Sequence, residues 1–115
     1  MTVTLAQISA DTGEVYDAVD GGTTAVTAIL DRATNFIAAA GSTSDTIIRP
    51  LADAMVVNQV MGGIDPVNKT IGTLSVGNKD LRSMRDYFKE EAKRAAVFQG
   101  VSLDGLTIIF RDSAQ

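Results

Sequence analysis

The chain has 115 residues and a formal net charge of −4, with 45% hydrophobic residues but only 5% aromatic ones and no Trp. That length suits a single domain, residues 1–115, whose one core must be packed by Val, Ile, Leu, Ala and Met. With neither Cys nor His, disulfides, thiolate or imidazole metal sites, thiol nucleophiles and imidazole bases are excluded, which points away from an enzyme and from any cofactor or metal.

Charge is unevenly spread. Residues 1–64 hold only Arg32 and Arg49 against seven acidic residues, whereas residues 65–115 hold eight basic and seven acidic ones. An acidic first half and a more basic second half suit head-to-tail self-association or contact with a polyanion, while the acidic whole argues against nonspecific nucleic-acid binding. Met1 to Ala10 has neither a basic residue nor a long apolar run, so no signal peptide is expected there. The longest nearly uncharged stretch, Asp45 to Gly63, is interrupted by Arg49, Pro50 and Asp53, so no membrane span is expected either. Synthesis in the cytoplasm follows as the expectation.

Thr4 to Gln7 has the Thr-x-x-Gln form of a capping box and predicts a short helix. Asp11-Thr12-Gly13 reads as a turn, and Glu14 to Val19 as a second short helical stretch ended by Asp20-Gly21-Gly22. Thr23 or Thr24 can cap a longer helix through Ala40, because Val26, Ile29, Leu30, Ala33, Phe36, Ile37 and Ala40 recur at the spacing of one buried face. Gly41 suits the position after that helix.

Pro50 fits the first position of the next helix, Leu51 to Met61, where its missing amide hydrogen is harmless. Ala52, Ala54, Met55, Val56, Val57, Val60 and Met61 leave only Asp53, Asn58 and Gln59 as its polar face, and a helix that apolar belongs at the centre. From Val67 to Val76 the β-branched residues suggest a strand, or a hairpin with a bulge at Gly72. Asn78 or Asp80 then caps a long helix whose apolar side is Leu81, Met84, Phe88, Ala92 and Ala95, closed by Gly100. Leu106 to Phe110 reads as a terminal strand after the Asp104-Gly105 turn. The expected fold class is α+β, mainly helical: a small helical bundle with a β-hairpin or loop before the last long helix and a C-terminal strand.

Candidate chemistry concentrates on that last helix. Arg82, Arg85, Lys89 and Lys93 follow at steps of three, four and four, which places them in one stripe beside the apolar face. With Asp86 and Glu90 among them, the stripe reads as a solvated flank, as a subunit interface, or as the lining of a channel through which DNA passes. Glu90 and Glu91 are neighbours in sequence and point about 100° apart on a helix, so they do not converge as an acid–base pair. Phosphate-loop, calcium-loop and zinc spacings are absent. A strand left unpaired at Leu106, Ile108, Ile109 and Phe110 would be available to add to a partner, so residues 101–115 are a candidate partner-binding extension.

In the order of these features the chain resembles the small connector, or adaptor, proteins that form a ring between portal and tail in tailed bacteriophages. The likeness rests on Val3-Thr4-Leu5, then Leu30-Asp31-Arg32-Ala33-Thr34-Asn35-Phe36-Ile37, then the Pro-started Pro50-Leu51-Ala52-Asp53-Ala54 helix. It continues with Ile71-Gly72-Thr73-Leu74-Ser75-Val76-Gly77 leading to the helix from Leu81 through Val97, so that it spans roughly residues 3 to 97. The longer acidic, Gly-rich stretch Asp11 to Gly22 and the terminal Leu106 to Phe110 segment depart from the family pattern. The resemblance implies a virion structural protein of the neck, a homo-oligomeric ring of twelve copies docked on portal protein and met by tail or stopper proteins, around a channel for packaged DNA. A tail-completion role stays within the same class. The alternative is a small regulatory or nucleic-acid-binding domain using the 79–93 helix, whose binding would weaken steeply with salt.

Overall fold

The computed structural model describes residues 3–17, 19, 21–62 and 78–103, which form helices α1 (Leu5–Thr12), α2 (Glu14–Asp17), α3 (Gly22–Ala39), α4 (Asp45–Gly62) and α5 (Asn78–Gln99). Among the described residues there is no strand, so the expected α+β class is corrected to an all-helical one. The physical reason is that the core closes by helix packing: α4 lies against all four other helices, most extensively against α5, and no sheet is needed to cover an apolar face. The expected hairpin or strand at Val67 to Val76 and the terminal strand with Leu106, Ile108, Ile109 and Phe110 lie outside the described residues.

Helix α1 starts as its local sequence dictates. Gln7 N–H donates to Thr4 Oγ1 at 3.2 Å, and Thr4 N–H donates to Gln7 Oε1 at 3.1 Å, completing the capping box. Thr4→Ala is therefore expected to lower stability by about 1 kcal/mol, read as a lower urea midpoint at unchanged slope; an unmoved midpoint would mean that α1 is held by packing alone.

The start of α3 differs from the expectation. Gly21, with φ +96°, occupies the cap position without a side-chain hydrogen bond, and Thr23 and Thr24 fall inside the first turn. Gly22 N–H donates to the Val19 carbonyl at 3.2 Å, and Gly21 and Gly22 both take positive φ, a region that favours glycine. At the far end, Ser42 N–H donates to the Ile37 carbonyl and Gly41 N–H to that of Ala38, the paired bonds of a Schellman motif with Gly41 left-handed. Between these ends Val26, Ile29, Ala33 and Ile37 form the buried face, with Leu30 and Phe36 packed at its margin.

Helix α4 begins five residues before Pro50. The Ser44 carbonyl accepts from Ile47 and Ile48 N–H, and Pro50 lies inside the helix. Burial of Ile47 and Ile48 favours this early start. The cost is one missing bond, from residue 50 to the Thr46 carbonyl, and Thr46 is an exposed residue where water can take its place. Residues 51–58 are all buried, Asp53 and Asn58 included, which corrects the expected polar face; Gln59 alone of those three is exposed.

Helix α5 ends at a second Schellman motif, with Val101 N–H bonded to the Ala96 carbonyl and Gly100 left-handed at φ +73°. Val101 and Leu103 then pack against the helical core. No helix among the described residues is long and apolar enough to cross a membrane.

Candidate functional site

The N-terminal half of α4 and the C-terminal half of α5 run side by side in opposite directions and leave an open cleft of about 590 Å³ between them. Asp45, Arg49, Pro50 and Asp53 line it from α4, one face of the helix at its usual spacing. From α5 come Tyr87, Glu91, Arg94 and Phe98, a second face at steps of four, three and four, with Phe88 and Ala95 beside it. Asp11, at the end of α1, closes one side.

Electrostatics at the floor of the cleft are set by three residues. Arg49 donates Nε–H to Asp11 Oδ2 at 2.7 Å and Nη2–H to Oδ1 at 2.8 Å, a bidentate pair that ties α4 to α1. These bonds hold the Asp11 carboxyl below its ordinary range and raise the Arg49 guanidinium. One turn along α4, Asp53 is only 1% exposed, and its Oδ1 has no hydrogen-bond partner among the described residues. Burial, reinforced by the neighbouring Asp11, pushes Asp53 up to about 9, so near neutral pH it keeps its proton and shares it with the Asp11 carboxylate. A paired guanidinium and a neutral acid are the form in which these groups can be buried at modest cost.

The rim is aromatic and charged. Tyr87 is 61% exposed, stacks edge-on to Phe88 at 5.5 Å between ring centres, and lies 3.4 Å from Glu91 Oε1 through its hydroxyl. Arg94 donates Nη1–H to Glu91 Oε2 at 2.8 Å. Phe98 is 91% exposed, the most exposed of the large apolar side chains described, and the adjacent Val97 is 79% exposed. Asp45 makes no ion pair among the described residues.

The expected basic stripe is divided by the fold. Arg85 has a side chain only 12% exposed; its Nη1–H donates to Oδ1 of buried Asn58 at 3.0 Å and its Nε–H to Asp86 Oδ1 at 3.1 Å. It is thus a clasp between α5 and the C-terminal half of α4. Lys89 is half-buried. Arg82 is exposed and makes no ion pair among the described residues, and exposed Lys93 reaches Glu90 at 3.5 Å. Arg82 and Lys93 therefore remain the outward cations of the stripe. The other candidate residues, Leu106, Ile108, Ile109 and Phe110, lie outside the described residues.

The Asp11–Arg49–Asp53 cluster is not among the sites expected from the sequence. The available signal was Asp53 standing alone within the apolar run from Leu51 to Val57, four residues after Arg49. Among the described residues no group of three or more acidic side chains is arranged to hold a metal ion.

Among the described residues, fold and cleft together define a small all-helical body with an acidic, aromatic groove on one side of α5 and outward cations on another. No family model matches the chain, and no characterised protein or solved structure proves similar to it.

Proposed function

We propose that the chain is a virion structural protein of the connector type, a subunit of a homo-oligomeric ring that joins portal to tail around the DNA channel. The observation that carries this reading is the outer surface of α5. Among the described residues α5 packs on α4 along one side and leaves Tyr87, Val97 and Phe98 in water, and exposed apolar groups of this size on one helix mark surfaces that meet another protein. The succession of short α1, amphipathic α3, apolar α4 and long α5 supports the likeness to connectors in element order.

In this reading the ring has twelve copies, docks on portal protein and receives tail or stopper proteins, and DNA passes without sequence-specific contact. A core poor in aromatic residues fits a subunit stabilised by its neighbours, because association that favours the folded form adds to its stability. The reading is tested by native mass spectrometry of the purified chain and electron microscopy of mixtures with purified portal protein. The expected result is a ring that decorates portal; a chain that stays monomeric and ignores portal and tail proteins would sink the proposal.

A further inference from the structure

We propose that the α4–α5 cleft is a socket for a second copy of this chain, which enters it with the outward cations of its own α5, Arg82 and Lys93. The proposal rests on the ring reading and gives that ring its subunit contact.

Three features of the cleft point to a basic occupant. Of the carboxyl groups in its lining, Asp53 is a neutral acid, and Asp11 and Glu91 are already paired with Arg49 and Arg94, which leaves Asp45 as the unbalanced negative charge. Exposed Tyr87 and Phe98 offer aromatic faces, and guanidinium and ammonium groups are drawn to such faces beside carboxylates. Below them Asp53 presents a buried oxygen with no hydrogen-bond partner among the described residues. Asp45 stands without an ion pair among the described residues.

The chain itself carries the matching surface. On an ideal helix the outward cations of α5 lie about 140° around the axis from the face bearing Tyr87, Glu91, Arg94 and Phe98. No chain can place the two faces of one helix together, so the pairing must occur between copies. The lengths agree as well. Arg82 to Lys93 and Tyr87 to Phe98 each span eleven residues, about 16 Å of helix. Two unlike patches on separate flanks make a heterologous contact, the kind that closes into a ring when the rotation between copies permits.

The experiment mixes two variants that are each blocked on one side. Asp45→Lys with Phe98→Lys disables the socket and leaves the cations, while Arg82→Glu with Lys93→Glu disables the cations and leaves the socket. Size-exclusion chromatography with light scattering is run on each variant, on their mixture and on the wild type, with circular dichroism to verify helix content. The wild type is expected to assemble, each variant alone to lose at least tenfold in association and run as a monomer, and the mixture to give a one-to-one heterodimer, because only one productive contact is left. Should either double variant lose its helical signal, the single changes Phe98→Lys and Arg82→Gln, both on exposed side chains, replace it in the same mixing scheme. Folded variants that assemble like wild type, or a mixture that stays monomeric, overturn the socket while leaving the ring reading standing. A wild type that never assembles overturns both.

Discussion

Raising the pH from about 5 to about 9 is expected to destabilise the chain progressively, and Asp53→Asn is expected to remove most of that dependence. Asp53 moves from an ordinary carboxylate value of 3.8 to about 9 on folding. Its folded value lies above its unfolded one, so the folded chain holds a proton that the unfolded chain releases throughout this window. The stability linked to that proton is complete below the unfolded value and is lost as pH rises through the folded one, at up to about 1.4 kcal/mol per pH unit. Several kcal/mol are at stake by pH 8, a large share of the stability of a domain this size. The charged groups facing Asp53 are Asp11 from α1 and Arg49 on its own helix, with Asp45, Glu91 and Arg94 along the same cleft. Asp11 works in the opposite direction. Its value is lowered by Arg49, so its contribution is present above the ordinary carboxylate value and fades as pH falls below it. Urea unfolding at successive pH values reads both effects; a wild-type profile that is flat between about pH 5 and about pH 9 would show that Asp53 is ionised in the folded chain. In Asp53→Asn the amide can still donate to Asp11, so the variant should match wild type near pH 5 and exceed it near pH 8.

How legible these features are in the sequence depends on how far apart the interacting groups lie. The Thr4 and Gln7 capping box is complete within four residues, and the glycine stops at Gly41 and Gly100 depend on local backbone alone. All three are legible in the residues themselves. The start of α4 is not, because Pro50 is a strong local sign of a helix beginning, whereas the actual start is favoured by burial of Ile47 and Ile48 against other helices. Strand propensity in Val67 to Val76 and Leu106 to Phe110 suggests a sheet, but the described core closes by helix packing alone. Asp53 and Asn58 look like a solvent face for a related reason. Their partners, Asp11 and Arg85, come from α1 and α5, so neither pairing leaves a trace in helical periodicity. Arg85 illustrates the reverse error. Spacing places it in one stripe with Arg82, Lys89 and Lys93, while tertiary packing turns it inward to Asn58. Reversing its charge would therefore disturb the fold itself, whereas Arg82 and Lys93 face outward.

Leu51→Ala is expected to be among the most damaging single substitutions, costing about 3 kcal/mol. Leu51 is fully buried on α4, the helix against which α1, α2, α3 and α5 all pack. Truncating it removes apolar contacts and leaves a cavity that rigid neighbours can fill only in part. In a core with few aromatic rings, each large aliphatic side chain carries a greater share of the packing. The melting temperature should fall by roughly 12 °C or more, and the urea midpoint should drop at unchanged slope if the native state stays compact. Phe98→Ala supplies the contrast, because its ring is already in water in the isolated chain and its loss should move monomer stability by less than about 0.5 kcal/mol. A Leu51→Ala chain as stable as the Phe98→Ala chain would refute the placement of α4 at the centre. Conversely, if Phe98→Ala leaves the monomer untouched but abolishes assembly, the energy of that ring belongs to the contact between copies.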